Sequence, residues 1–179
     1  MSEPSDAELV RAFQNGDQVA FTHFATRHQD RVYRMAVVWL FDSSLAADVL
    51  QETLLRSYSG LGRFRFRASP GTWLLRVCRN ICYEENRRGA RVRSLPEDYD
   101  APGEEVVDSS DGLATVMARV TELPPRQREV VMLRIFEDLS VAETARVMGC
   151  RPGTVKAHLN KALNALRKLV KASGVLSLE

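Results

Sequence analysis

The chain has 179 residues, 45% hydrophobic and 27% charged, with a net charge of +2. That suffices for one ordinary domain or two small ones with packed cores, and it argues against a disordered chain. No apolar run approaches the ~20 residues of a membrane span, and MSEPSDAELV lacks the basic start and apolar stretch of a secretory signal. Three scattered cysteines, Cys78, Cys82 and Cys150, are read as reduced thiols of a cytoplasmic protein.

The small net charge hides a segregation. Residues 1–93 carry 14 Arg and no Lys against 10 acids, residues 94–118 carry 7 acids and no base, and residues 119–179 carry 11 bases against 6 acids. Any one such run is commonly a solvated face, but two basic lobes either side of an acidic strip suggest two contact surfaces for a polyanion.

Helical periodicity runs through the chain, with no convincing alternating strand. Ser5 and Glu8 form a capping-box pattern for a first short helix, ended by Gly16. From Asp17, the spacing of Phe21, Phe24, His28, Val32, Met35 and Trp39 predicts a long helix with one buried stripe, to about Phe41. Ser43 or Ser44 can cap the next helix, Leu45 to Tyr58, with Leu45, Val49 and Leu54 or Leu55 facing inward. Gly60 and Gly62 then break the chain ahead of a basic, aromatic loop, Arg63-Phe64-Arg65-Phe66-Arg67. Ser69-Pro70 starts a helix to about Arg88 that buries Leu74, Val77, Cys78 and Ile81 and leaves Thr72, Arg76, Arg79, Asn80, Tyr83 and Arg87 on its other positions.

Residues 94–112 are acidic with Pro and Gly. They cannot bury enough apolar surface to offset ordering, and read as a linker. Helix resumes near Leu113 with Val116, Met117 and Val120 on one face. Leu123-Pro124-Pro125 turns into a helix from Arg126 to Phe136. A second capping box, Ser140 and Glu143, opens a helix at Val141 whose inner face is Val141, Ala145 and Met148. Gly149 suits a left-handed stop, and Cys150 fills a small apolar gap. A last helix starts near Pro152, with Val155, Leu159, Ala162, Leu163 and Leu166 inward and Thr154, Lys156, Ala157, Asn160 and Lys161 outward.

Two short helices, a tight turn and a longer helix with a basic and amide outer face form a helix-turn-helix layout, distinguished from a plain helical hairpin by the agreement of cap, turn and charge. In that motif the first turns of the second helix enter the major groove. Lys and Asn meet base edges there, and Lys and Thr also meet phosphates.

The block LPPRQREVVMLRIFEDLSVAETARVMGCRPGTVKAHLNKALNALRKL resembles the fourth conserved region of bacterial sigma factors, the small extracytoplasmic-function (ECF) class above all. The run Thr154-Val155-Lys156-Ala157-His158 also fits the DNA-binding block of certain response regulators. The N-terminal half separates the two. AADVLQETLLRSY at 46–58 and SPGTWLLRVCRNICYEENRR at 69–88 resemble the second conserved region of the same sigma class, and nothing in residues 1–110 reads as a receiver domain. The resemblance spans about residues 5–93 and 113–170.

It implies an all-α chain of two small helical domains joined by an acidic linker: 1–93 for polymerase docking and the minus-ten element, 94–112 as linker, and 113–179 for the minus-thirty-five element. It implies that Asp48, Gln51 and Glu52 dock on the beta-prime clamp helices of core RNA polymerase, with the beta flap a further contact. Residues 63–71 match the loop that captures a flipped minus-ten base. Phe66 then serves as platform, Arg65 and Arg67 lie on phosphate, and Phe64 closes the fold. Trp73, Arg76 and Asn80 match the helix at the junction of duplex and melted strand, where Trp73 is equally readable as a core anchor. Arg151, Thr154, Lys156, Ala157, Asn160 and Lys161 match the minus-thirty-five reader. A sequestering anti-sigma factor is a further implied partner. The acidic linker either mimics a nucleic acid near the polymerase channels or serves as a plain tether.

Two departures stand out: Arg151-Pro152 replaces the usual Ser or Thr cap before the recognition helix, and Pro70-Gly71 bears on base choice in the capture loop. A helix-turn-helix regulator that never joins polymerase is the competing reading. Catalysis, metal and cofactor are not expected. His23, His28 and His158 do not group with carboxylates in any ligand spacing, and Cys78 and Cys82, one turn apart, read as core thiols.

Overall fold

The computed structural model describes residues 3–93 and 119–172. Every regular element among them is helical, as the periodicity predicts. The chain divides into two compact units, Met1–Val92 and Arg93–Glu179. The expected linker, and Val116 and Met117 beyond it, lie outside the described residues.

In the first unit, α1 (Asp6–Gln14) opens with the expected capping box. The Glu8 amide donates to Ser5 Oγ at 3.3 Å, and the Ser5 amide donates to the Glu8 carboxylate at 2.8 Å. Hydrogen bonds from Ser5 hold the Glu8 carboxyl below its ordinary range. Asp17 caps α2 (Gln18–Trp39) by accepting from the Val19 and Ala20 amides. Phe24, His28, Val32, Met35 and Trp39 form the buried stripe, while Phe21 is half-buried. The helix stops two residues before Phe41 because Asn86 takes over its end, accepting from the Phe41 amide at 2.8 Å and donating to the Trp39 carbonyl at 2.8 Å.

A short 3-10 turn, Ser43–Leu45, leads into α3 (Ala46–Leu61). Neither Ser43 nor Ser44 caps it; Asp42 accepts from the Ser44 amide at 3.0 Å instead. The buried face also differs from expectation. It consists of Ala46, Val49, Thr53, Ser57 and Leu61, whereas Leu45 and Leu54 are half-buried and Leu55 is 66% exposed. The Thr53 hydroxyl donates to the Val49 carbonyl at 2.6 Å and that of Ser57 to the Leu54 carbonyl at 2.8 Å. Small side chains that satisfy their hydroxyls within the helix can be buried without a polar penalty, which hydrophobic spacing alone does not reveal.

Gly60 does not break α3 but lies inside it. A Cβ there would sit 2.8 Å from the Trp73 ring, so the glycine is the seat of that indole. The last helix of the unit, α4 (Pro70–Arg93), begins with Ser69 Oγ accepting from the Thr72 amide at 3.2 Å. It buries Leu74, Leu75, Cys78, Ile81 and Cys82, with Val77 half-buried. Thr72 and Arg79, assigned to its outer positions, are buried instead. Thr72 pairs with Ser69, and the Arg79 guanidinium lies 4.3 Å from the Tyr83 ring centroid.

In the second unit, residues 119–121 are helical and carry Val120 into the core. The helix α5 (Pro125–Val131) does not continue regularly to Phe136. At Met132–Phe136 it widens into a π-helical turn, with the Glu137 amide donating to the Met132 carbonyl at 3.0 Å. Glu129 is fully buried and paired with Arg126 at 3.2 Å. Arg128 donates to the carbonyls of Thr121 and Leu123, and burial pushes its pKa down. The Arg128 guanidinium thus satisfies backbone carbonyls at the turn ahead of α5.

Two helices complete the unit: α6 (Val141–Met148) and α7 (Pro152–Ala172). The Ser140–Glu143 box is formed, and Gly149 takes φ +63, the left-handed stop the sequence calls for. Ala145 and Met148 are buried as expected, joined by Thr144 and Val147, while Val141 and Cys150 are half-buried.

Candidate nucleic-acid and partner surfaces

The helix α7 divides cleanly. Val155 and Ala162 are buried, and Leu159, Leu163 and Leu166 half-buried, against the rest of the unit. Arg151, Thr154, Lys156, Ala157, Asn160 and Lys161 are all exposed. Thr154, Lys156 and Ala157 lie within the first two turns, and Arg151 immediately before them, where helix amides already favour an anion. No side-chain cap replaces the missing Ser or Thr. The Arg151 carbonyl instead accepts from the Thr154 and Val155 amides, at 3.0 and 3.3 Å, which leaves the Arg151 side chain outside the cap.

The basic loop before α4 is built differently. Arg65 and Arg67 are exposed, but Phe66 is half-buried and has φ +52. A bulky residue takes that conformation only where its surroundings over-determine it. The rings continue inward: Phe66 meets Phe64 edge to face at 5.1 Å between centroids, and Phe64 meets Trp73 at 5.4 Å. Trp73 is half-buried between Phe64 and Gly60. Arg76 and Asn80, one and two turns further along α4, are exposed on the same side.

Gly71 accounts for one departure seen in the sequence. A Cβ there would lie 2.9 Å from Arg31 Nη1 and 3.0 Å from His28 Cε1, so glycine lets the first turn of α4 approach them. His28 in turn meets Asp6 at 2.7 Å between Nε2 and Oδ2. The partners are 22 residues apart and on different helices, so linear spacing cannot reveal the pair. Burial raises the Asp6 carboxyl, but hydrogen bonds and charge from His28 and Arg27 outweigh it and hold the pKa below the ordinary value.

The third surface lies on α3 and α4. Asp48 and Gln51 are exposed and Glu52 is half-buried. Arg56 Nε donates to Glu52 at 2.7 Å, and its guanidinium also pairs with Glu84 of α4 at 3.1 Å. These hydrogen bonds raise the Arg56 pKa. A shallow groove of about 410 Å³ runs beside them, lined by Asp48, Val49, Glu52, Ile81 and Glu85 among others. Leu55 follows Asp48 and Gln51 at helical spacing on this face. Hydrophobic spacing offers either Leu54 or Leu55 to the core; Leu54 is half-buried and Leu55 exposed, because the stripe is already filled by Val49 and the small residues Thr53 and Ser57.

Cys78 and Cys82 are fully buried, and the Cys82 thiol is pushed up by its hydrogen bond with Cys78 and by burial. Among the described residues no three or more His, Cys, Asp or Glu side chains gather as a metal site, and no helix is long and apolar enough to cross a membrane.

These features have relatives. The family description "Sigma-70 region 2" matches residues 24–92, and "Sigma-70, region 4" matches residues 113–166. The chain is 32% identical over 168 residues to the ECF RNA polymerase sigma factor SigM of Mycobacterium tuberculosis, across 94% of this chain and 86% of SigM. It is 30% identical over 188 residues to the RNA polymerase sigma-H factor of Pseudomonas aeruginosa, across 96% of each. The fold is similar to that of the sigma factor RpoE from Bartonella quintana, solved in complex with the anti-sigma factor NepR. That likeness has a TM-score of 0.71 and 23% identity, across 84% of this chain and 96% of RpoE, and is one of fold alone.

Proposed function

The chain belongs to the ECF class of RNA polymerase sigma factors in the sigma-70 family, and we propose that its two units divide promoter recognition between them. The second unit reads the minus-thirty-five duplex through Arg151, Thr154, Lys156, Ala157, Asn160 and Lys161. The first docks on the beta-prime clamp helices through Asp48, Gln51 and Glu52, with Leu55 as an apolar anchor on the same face. It then holds the melted minus-ten strand with Arg65, Phe66, Arg67, Arg76 and Asn80.

Trp73 acts there through packing, as the inner wall behind Phe64, rather than as a free stacking surface. The polypeptide does no bond chemistry itself and works in the cytoplasm on core RNA polymerase, with the beta flap contacting the second unit. An anti-sigma factor, such as the one solved with RpoE, would act by covering the docking faces.

One observation carries this reading. A region-2 match and a region-4 match fall on separate compact units in one chain, and a basic exposed reader face lies on the second. A regulator that never joins polymerase has no use for the first match. Reconstitution tests it: the purified chain, mixed with core RNA polymerase, should co-elute with it and support run-off transcription from a cognate promoter. Operator binding without co-elution would establish the free-standing regulator instead.

A further inference from the structure

The strand-capturing loop does not hold its shape by its own sequence. Gln14, the last residue of α1, donates from Nε2 to the Leu61 carbonyl at 2.8 Å and to the Phe64 carbonyl at 2.9 Å. Both N–H bonds of one amide are thereby spent on backbone acceptors at the end of α3 and the start of the loop. Almost one turn earlier, the Arg11 guanidinium carbon lies 5.2 Å from the centroid of the Phe66 ring. Between these two holds lies the left-handed backbone of Phe66, at φ +52. The helix that supplies both side chains precedes the segment matched as region 2, which begins at residue 24.

We infer that α1 is part of the minus-ten reader. Gln14 is a positioning residue that fixes the backbone of residues 61–66. Arg11 braces the Phe66 ring and sets a second flat, cationic surface beside it for an unstacked base. The inference rests on reading the loop at residues 63–71 as the base-capturing element. The physical reason is geometric. A single base gains ~1–3 kcal/mol from stacking on an aromatic ring, and it gains this only where ring and backbone are already placed. A glutamine that holds two loop carbonyls supplies that placement, and an exposed arginine over the ring supplies the neighbouring plane.

The test uses holoenzyme assembled from the full chain and core RNA polymerase. Its probe is a fluorescent single-stranded oligonucleotide carrying the non-template minus-ten sequence of a transcribed promoter, alongside oligonucleotides with single base changes. Gln14→Leu keeps the volume and removes the donors. Its ratio of matched to mismatched affinity should fall about tenfold, the equivalent of ~1.4 kcal/mol, with core binding and minus-thirty-five duplex binding unchanged. Arg11→Ala, on an exposed position that cannot unfold the core, should weaken the matched oligonucleotide by about fivefold. Arg11→Lys should restore the salt dependence but not the full affinity for the matched oligonucleotide, because it returns the charge without the plane.

Undiminished discrimination in Gln14→Leu together with undiminished affinity for the matched oligonucleotide in Arg11→Ala, with Phe66→Ala weakening that oligonucleotide, would overturn the role of α1 and leave the loop reading intact. Complete rescue by Arg11→Lys would overturn the stacking role of Arg11. Unchanged oligonucleotide binding in Phe66→Ala would instead sink the loop reading, and the inference with it.

Discussion

The two proposed nucleic-acid surfaces of this chain are made in opposite ways. The second unit presents five of its six proposed reader residues from a regular helix, with Arg151 just ahead of it: all six are exposed, and the positions of the five follow from the 3.6-residue repeat. The first unit presents a loop whose central aromatic has a left-handed backbone and is held by two side chains of another helix. A duplex groove offers a continuous surface that a rigid helix matches. A melted strand offers separate bases, so its receptor must be assembled from tertiary contacts. One site is written in periodicity, the other in packing.

The largest effect is expected from a change that removes the support of the second unit alone. Glu129→Ala empties a fully buried side-chain position and removes the carboxylate paired with Arg126, and should destabilise that unit by about 2 kcal/mol. In thermal unfolding one transition should drop while the other stays, and minus-thirty-five binding should fail as core docking persists. Next comes Glu52→Lys, expected to reduce affinity for core polymerase about tenfold with the fold intact. Arg56→Ala serves as its control, since it severs the Glu52–Arg56–Glu84 network without reversing the docking charge. Normal core affinity in Glu52→Lys would move the docking surface elsewhere.

Smaller still is the reader face itself. Lys156→Ala should weaken duplex binding by about 1 kcal/mol, and Lys161→Ala should lower the slope of log affinity against log salt by about one. The smallest effect belongs to Asp6, which holds α1 on α2. Its folded pKa is depressed, so its stabilisation is complete above the ordinary carboxylate value and is lost as pH falls through the lower, folded one. Asp6→Asn should therefore lower the stability of the first unit near neutral pH, by about 0.5 kcal/mol. The gap from the parent chain should close on acidification in pH-resolved denaturant melts; a gap that does not change with pH would remove the ionic role of Asp6.

The sequence is legible where a local rule suffices. Both capping boxes, the left-handed Gly149, the Ser69-Pro70 start and the exposed row from Thr154 to Lys161 all depend on neighbours within a turn, and all are found. It is illegible where distant chain decides. The buried face of α3 uses Thr53 and Ser57, whose hydroxyls look polar until their internal hydrogen bonds are seen. Gly60 reads as a breaker until the Trp73 ring is placed over it. Asp6–His28 and Gln14 with the loop are contacts across 22 to 50 residues, and no spacing rule reaches them. The π-helical turn at Met132–Phe136 likewise has no local sign in its apolar pattern.

The three cysteines give the chain an internal clock. Cys78 and Cys82 are sealed in the first unit, while Cys150 sits half-buried at the turn of the second. A pulse of alkylating reagent therefore reaches Cys150 in the native protein and the other two only when the first unit opens. Mass spectrometry of the tagged peptides then times the opening of the first unit, with Cys150 as the native-state reference and no foreign label added.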